Sequence, residues 1–182
     1  MSMPTWAYPL SWAYAGWTLA AFIGTVIWCS FAEFMLHRFV MHRKTFVSFP
    51  YELHAVGHHG MFRGDETYHA QNEDMRNHVT FVARDYVILL AANLPLWCSV
   101  EWLVGRPLVI GGFLATFAYL QAFNSFHWRW HVPSDTWLQR TSLFKWAKER
   151  HRIHHDNQGV NFNLVLPLAD LLFRTYRSGP AR

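Results

Sequence analysis

Ten of the twelve histidines fall in four short boxes. His37 and His42 bracket HRFVMH. His54, His58 and His59 form HAVGHH. His127 and His131 bracket HWRWH, and His151, His154 and His155 form HRIHH. Neutral imidazole is a ligand for Fe, Zn, Cu and Ni. On a helix, residues i and i+4 point the same way, and i, i+3 and i+4 make one patch. His127/His131 and His151/His154/His155 fit that rule directly. His37 and His42 are five apart and diverge by about 140° on an ideal α-helix. Either the helix ends between them or they serve different ions. One ion takes roughly four to six ligands, so ten imidazoles suit two ions. A single HxxxH would signify little. Four boxes together point to a metal centre, because ten clustered imidazoles would repel once protonated and need hydrogen-bond partners when buried. His69 and His78 stand outside the boxes and read as a loop residue and a helix-start residue.

These boxes must be held by helices of membrane type. Of 182 residues, 52% are hydrophobic and 15% charged, where a soluble domain carries about 25% charged. A spanning helix needs about 20 mostly apolar residues, and three segments meet that length: about 12–36, 78–99 and 107–128. The second carries Arg84 and Asp85 near its start, and the turn EWLVGR makes the second and third antiparallel neighbours. The expected fold is all-α: one membrane-embedded domain over 1–182, a bundle of three spanning helices with a cytoplasmic, histidine-rich helical cap. Cys29 and Cys98 lie in apolar runs and read as small buried hydrophobes, not as a disulfide. No Lys or Arg occurs in the first twelve residues, so a signal-peptide n-region is missing and the first apolar run is expected to be a retained span.

The stretches 38–76 and 129–182 hold nearly every Lys and Arg. The positive-inside rule then places 37–78 and 129–182 in the cytoplasm, and all four boxes at one membrane face. Trp6, Trp12, Trp17, Trp97 and Trp102 form the expected outer aromatic belt, and Trp128 and Trp130 the inner one. The tail stretch WLQRTSLFKWAKERHRIHH is basic and amphipathic, and NFNLVLPLADLLFRTY reads as a loop and a short helix.

The order HxxxxH, HxxxHH, HxxxH, HxxHH resembles the fatty acid hydroxylase superfamily, which includes fatty-acyl hydroxylases, sterol desaturases and oxidases, and compact carotenoid hydroxylases. The resemblance runs from about Glu33 to Tyr176. HRFVMH and HRIHH look most like the acyl hydroxylases, and NFNLVLPLADLLFRTY looks like the family's closing segment. The second box departs from the pattern: three residues separate its first two histidines, where many members have two. The resemblance implies an integral-membrane monooxygenase with His37, His42, His54, His58, His59, His127, His131, His151, His154 and His155 around two iron ions, a site that zinc can also fill. It would use O2 and two electrons to hydroxylate an unactivated C–H bond of a lipid drawn from the bilayer, above all a fatty acyl chain. No catalytic residue beyond the ligands is implied.

No dinucleotide fingerprint or Cys cluster is present, so electrons must come from a partner such as a ferredoxin or small haem protein. The basic residues Arg140, Lys145, Lys148, Arg150 and Arg152 could dock an acidic donor or contact anionic head groups. Metal-bound His gives its second N–H to a carboxylate or carbonyl, and Glu33, Asp65, Glu66, Asp135, Asp156, Asn157, Asn161 and Asp170 are candidates, led by Asp156 and Asp170. Rival readings are a carotenoid ring hydroxylase, a sterol or lipid desaturase, and a membrane metal-binding or carrier protein. Haem would need axial histidines on facing spans at membrane depth, a pattern absent here. Nothing points to nucleic acid. Size and short tails suggest a bacterial inner membrane.

Overall fold

The computed structural model describes residues 12–179. Among them there is no strand. The helices are α1 (Trp12–Leu36), α2 (Phe49–Tyr51), α3 (His59–Met61), α4 (Ala83–Val104), α5 (Val109–His131), α6 (Trp137–Arg140), α7 (Ser142–Asp156) and α8 (Leu168–Leu172). α1 runs on into a π-turn at His37–Met41, and a second π-turn, Glu52–His58, joins α2 to α3. Three helical stretches are long and apolar enough to cross a membrane: Trp12–Met41, Glu73–Val104 and Val109–His131. The described residues are all-helical, and their three apolar helices fit a membrane protein.

Two helices run past the limits that the sequence suggests. The second stretch, Glu73–Val104, contains the expected 78–99, and within it α4 begins at Ala83. Val82 is extended (φ −95°, ψ 170°) and its N–H donates to the Asp85 carboxylate at 3.0 Å, which satisfies a free donor at the helix start. α4 runs on past Pro95 and through Glu101–Val104 to Gly105, whose φ is 66°. A left-handed glycine is a common helix stop. The third span extends past 128 and includes the whole third box, since α5 ends at His131.

By its contacts the chain divides into two units, 12–29 with 81–121 and 30–80 with 122–179. The division falls within α1 and α5. In the first unit, missing side chains permit close helix packing, as small residues do in membranes. A Cβ on Gly111 would come within 2.2 Å of the Thr18 carbonyl oxygen, and one on Gly112 within 2.6 Å of the Trp97 ring. Trp97 is therefore buried under α5 rather than part of an outer belt. Trp6 lies outside the described residues. Trp28 Nε1 donates to Asn93 at 3.0 Å, and Tyr86 donates to Gln121. The Glu101 carboxylate accepts the N–H groups of Leu108 and Val109, both at 2.8 Å, which fixes the turn into α5. Cys29 is buried, but Cys98 is exposed on α4 and is not a core residue.

The second unit is built around Phe34, Phe162 and Ala169. Phe34 meets Phe162 edge-on at 5.5 Å and stacks on Phe173 at 4.9 Å. α7 begins where the Thr141 hydroxyl accepts the N–H of Phe144 at 3.3 Å. Its buried face carries Phe144, Arg150, His151, Ile153, His154 and His155. The segment after α7 is a loop followed by α8, as its composition suggests.

Candidate metal centre

All ten box histidines lie in the second unit and gather into two groups of five. The first is His37, His42, His54, His59 and His154, and the second is His58, His127, His131, His151 and His155. Within each group the ligand atoms lie within 4.8 Å of one another. Both donor sets are all imidazole.

The first group depends on π-turns. The His42 N–H bonds the His37 carbonyl at 3.0 Å, an i→i+5 closure. That closure brings two rings face to face that an α-helix would hold about 140° apart. His37 and His42 Nε2 atoms are 3.2 Å apart. The helix neither ends between them nor sends them to different clusters. The same closure recurs in the second box, where the His59 N–H bonds the His54 carbonyl and the two Nε2 atoms are 3.2 Å apart. The extra residue of HAVGHH is absorbed by this turn, as a π-bulge accommodates an insertion.

The second group uses ordinary α-helical spacing. His127/His131 on α5 and His151/His155 on α7 are i, i+4 pairs. His151 Nε2 lies 3.1 Å from His131 Nε2 and 3.0 Å from His155 Nε2. His154 does not join the patch expected for HRIHH. It is about 100° from His155 around the helix and turns to the first group, with Nε2 3.0 Å from His42 Nε2. Each HH dipeptide thus serves both groups: His58 and His155 face one, His59 and His154 the other. The groups share a wall, with the His59 and His155 rings stacked at 4.2 Å.

The ring nitrogens fit a cation. Nδ1 of His37 donates to the Phe162 carbonyl at 2.5 Å, and that of His154 to Val160 at 2.7 Å. Nδ1 of His131 donates to Tyr68 at 2.7 Å, and that of His155 to Phe62 at 2.5 Å. A neutral ring with its proton on Nδ1 has a bare lone pair on Nε2. Several such lone pairs converge at 2.8–3.2 Å, more than the protons of neutral rings can bridge. A metal ion in each group would resolve that conflict. Burial, reinforced by neighbouring imidazoles, pushes the pKa of His54, His58, His59, His151, His154 and His155 below the ordinary histidine range. Burial also lowers His42 to about 4. The rings are neutral at pH 7, the form that ligates metals.

Carbonyls, not carboxylates, therefore orient these four ligands, and acidic residues act one step behind. Asp170 is fully buried and accepts the N–H groups of Phe162 at 3.0 Å and Asn163 at 2.7 Å. It fixes the loop segment whose Phe162 carbonyl holds His37. Glu33 accepts the Leu164 N–H at 2.8 Å, and Asn163 donates to Glu33 at 3.1 Å. Asn161 has φ 53° and donates to the Arg150 carbonyl at 3.1 Å. Asp65 instead caps a 3-10 turn through Thr67, and Asp135 pairs with Arg140. Gly64 packs so closely on α7 that a Cβ would lie 2.6 Å from Asp156 Cβ, an approach that lets Phe62 reach His155.

Sequence spacing did not single out the aromatic wall. Trp130 is not an interfacial residue: it is buried against His151, with ring centroids 5.1 Å apart. Tyr68 lies 4.7 Å from His131, and Phe162 lies 5.7 Å from both His37 and His154. A large aromatic within one turn of a box is a signal that marks Trp130, but it marks Phe34, Phe39, Phe62 and Trp128 equally. His69 contacts Lys148 at 3.2 Å outside both groups, and His78 is exposed. Of the basic residues expected to face a partner, Arg150 is instead buried, donating to the Asn163 carbonyl. Arg140 and Arg152 are ion-paired to Asp135 and Glu149.

Compared with known proteins, residues 22–175 match the model of the family described as fatty acid hydroxylase. No curated protein and no solved structure matches the chain.

Proposed function

Because the chain belongs to the fatty acid hydroxylase family, we propose that it is a membrane-bound, O2-dependent dimetal oxygenase that hydroxylates an unactivated C–H bond of a lipid, foremost a fatty acyl chain. The observation that carries this reading is the pair of all-histidine groups with a shared wall. His37, His42, His54, His59 and His154 would hold one iron, and His58, His127, His131, His151 and His155 the other. Bound iron would supply the O2 activation and C–H oxidation that no side chain here can perform. The chain's own residues bind, orient and shield. The carbonyls of Phe62, Tyr68, Val160 and Phe162 set the ring planes of four ligands. The buried aromatic wall excludes water, which protects a reactive site from side reactions.

The lipid reaches the site from the bilayer, and electrons come from a partner protein such as a ferredoxin or small haem protein. The histidines face the cytoplasm of a bacterial inner membrane in this reading, with 38–76 and 129–182 kept inside by their Lys and Arg.

The test is lipid mass spectrometry of a host expressing the wild type or His154→Ala/His155→Ala, each with a working electron donor. The expected result is acyl species one oxygen heavier that appear only with the wild type. Normal product from the double variant would refute the site. The same mass shift on a carotenoid would move the substrate to that class.

A further inference from the structure

The helical run 49–61 has its faces exchanged. His54, His58 and His59 are buried on one side. Phe49, Leu53 and Val56, at i, i+4 and i+7 on the other, are 53%, 48% and 52% exposed. The charged residue among them, Glu52, is paired with Lys44 at 3.6 Å. Just upstream, Phe46 is fully exposed and Val47 half so. A helix that faces water carries polar residues outward, and contiguous exposed apolar patches mark contact surfaces.

We propose that this face, Phe46, Phe49, Leu53 and Val56, is seated on the lipid bilayer. Its apolar side chains lie at the boundary of head groups and acyl chains, and Arg43 and Lys44 lie among lipid phosphates. Three observations favour a lipid surface over other occupants. The chain carries three stretches fit to span a membrane, the first ending at Met41. Phe49 follows Met41 by eight residues, so the run begins at most about 27 Å from the end of that stretch. Arg43 and Lys44 are exposed beside the apolar face, the pairing of cationic rim and apolar centre that interfacial helices use. A second copy docked on the same face would bring two such cationic rims into one interface. The placement rests on α1 as a membrane span, not on the catalytic reading. It would put both histidine groups within about one helix diameter, ~10 Å, of the acyl region.

The test labels Leu53→Cys, in a Cys98→Ala background, with a polarity-sensitive nitrobenzoxadiazole probe. The full chain is reconstituted in vesicles of phosphatidylcholine and phosphatidylglycerol, and Glu66→Cys serves as the aqueous control. The proposal expects a blue-shifted emission, quenching by shallow spin-labelled lipid, and reduction by external dithionite at least about ten-fold slower than at the control, as for a group buried ~5–10 Å into the interface. Reduction as fast as at Glu66→Cys would overturn it. Protection from dithionite without lipid quenching would also overturn it, in favour of a protein cover. Val56→Cys gives an independent reading by the same criteria should the Leu53 variant fail to insert. None of these signals depends on turnover, so an inactive but lipid-seated protein separates this inference from the hydroxylase reading.

Discussion

The two histidine groups hold the same number of rings by different backbone means. The second uses i, i+4 pairs on α5 and α7, and all five of its rings are buried. The first uses i, i+5 pairs closed by π-turns, and its His42 is only partly buried. One group thus follows regular helix geometry and the other depends on local departures from it. A π-turn is rare and frequently marks a functional site. Here it superposes two ligands that regular spacing would separate, and it leaves one ring of the first group nearer to solvent.

The largest expected effect tests whether the groups are separate sites. His58→Ala/His155→Ala removes two ligands from the second group alone. His58→Ala/His59→Ala, changing adjacent residues, removes one from each. The first variant is expected to retain one metal ion per chain of two. The second is expected to bind both more weakly, by about 10–100-fold or more, since even outer-shell changes reach that range. Metal counted by mass spectrometry after dialysis checks this, and identical stoichiometries would show that the groups are not independent.

Asp170 sharpens the comparison from outside. It fixes the Phe162 backbone that orients His37, a first-group ligand, and it lies 3.8 Å from buried Arg150. Asp170→Asn is expected to lower metal affinity of the first group by about 10–100-fold and to lower Tm, because it removes a buried charge facing Arg150. The second group, oriented by Tyr68 and Phe62, should keep its affinity. Equal loss at both groups would make Asp170 a general structural residue instead.

Acid should distinguish the groups less sharply. Their histidines outside the spans, His42, His54, His58, His59, His151, His154 and His155, are neutral when folded and have pKa values below the ~6.5 of an unfolded chain. The unfolded state therefore takes up protons first as pH falls. The metal-free chain should be most stable above about pH 6.5 and lose stability progressively below it, through about 4, where His42 itself protonates, and further down for the more deeply buried rings. Protons compete with metal for the same nitrogens, so the metal-loaded protein should release the first-group ion first. Tm and bound metal followed across that range check both statements. Release from the second group first would contradict the ranking by burial.

The sequence made the ten clustered histidines and the three spans legible because both depend on residue type and coarse period. The partition into two groups was not legible. It depends on whether a turn closes at i+4 or i+5, which is set by tertiary packing and leaves no mark in HRFVMH. His154 shows the same limit: i, i+3 and i+4 share a broad face, yet the 100° between His154 and His155 is enough to send them to different sites when two sites exist. The carbonyl orienters were hidden for another reason. Any residue can supply a carbonyl, so Phe62, Tyr68, Val160 and Phe162 carry no signature. Only their anchors, Asp170 and Gly64, do. Trp97 and Trp130 misled the belt assignment because tryptophan near a span end serves packing as readily as an interface.

The smallest expected effect is the most specific to the π-turn. Deleting Ala55 shortens HAVGHH to two residues between its first two histidines, so the partners now at 54 and 59 become i, i+4. If the π-turn exists to absorb that one extra residue, an ordinary α-turn should then present the same two rings to the first group. His58 would still be adjacent to His59 and would still face the second. The deletion also rotates Phe49 and Leu53 by about 100° relative to His58 and His59, so some loss of stability is expected. Two bound metals with affinities within about ten-fold of the wild type would show that the turn compensates for spacing. A control insertion of alanine after Ile153 should behave oppositely, since it moves His154 into the i+4 place of His155 and leaves alanine at the i+3 place that serves the first group, which then loses a ligand. Loss of first-group metal on deleting Ala55 would instead mean that the wider turn itself shapes the site.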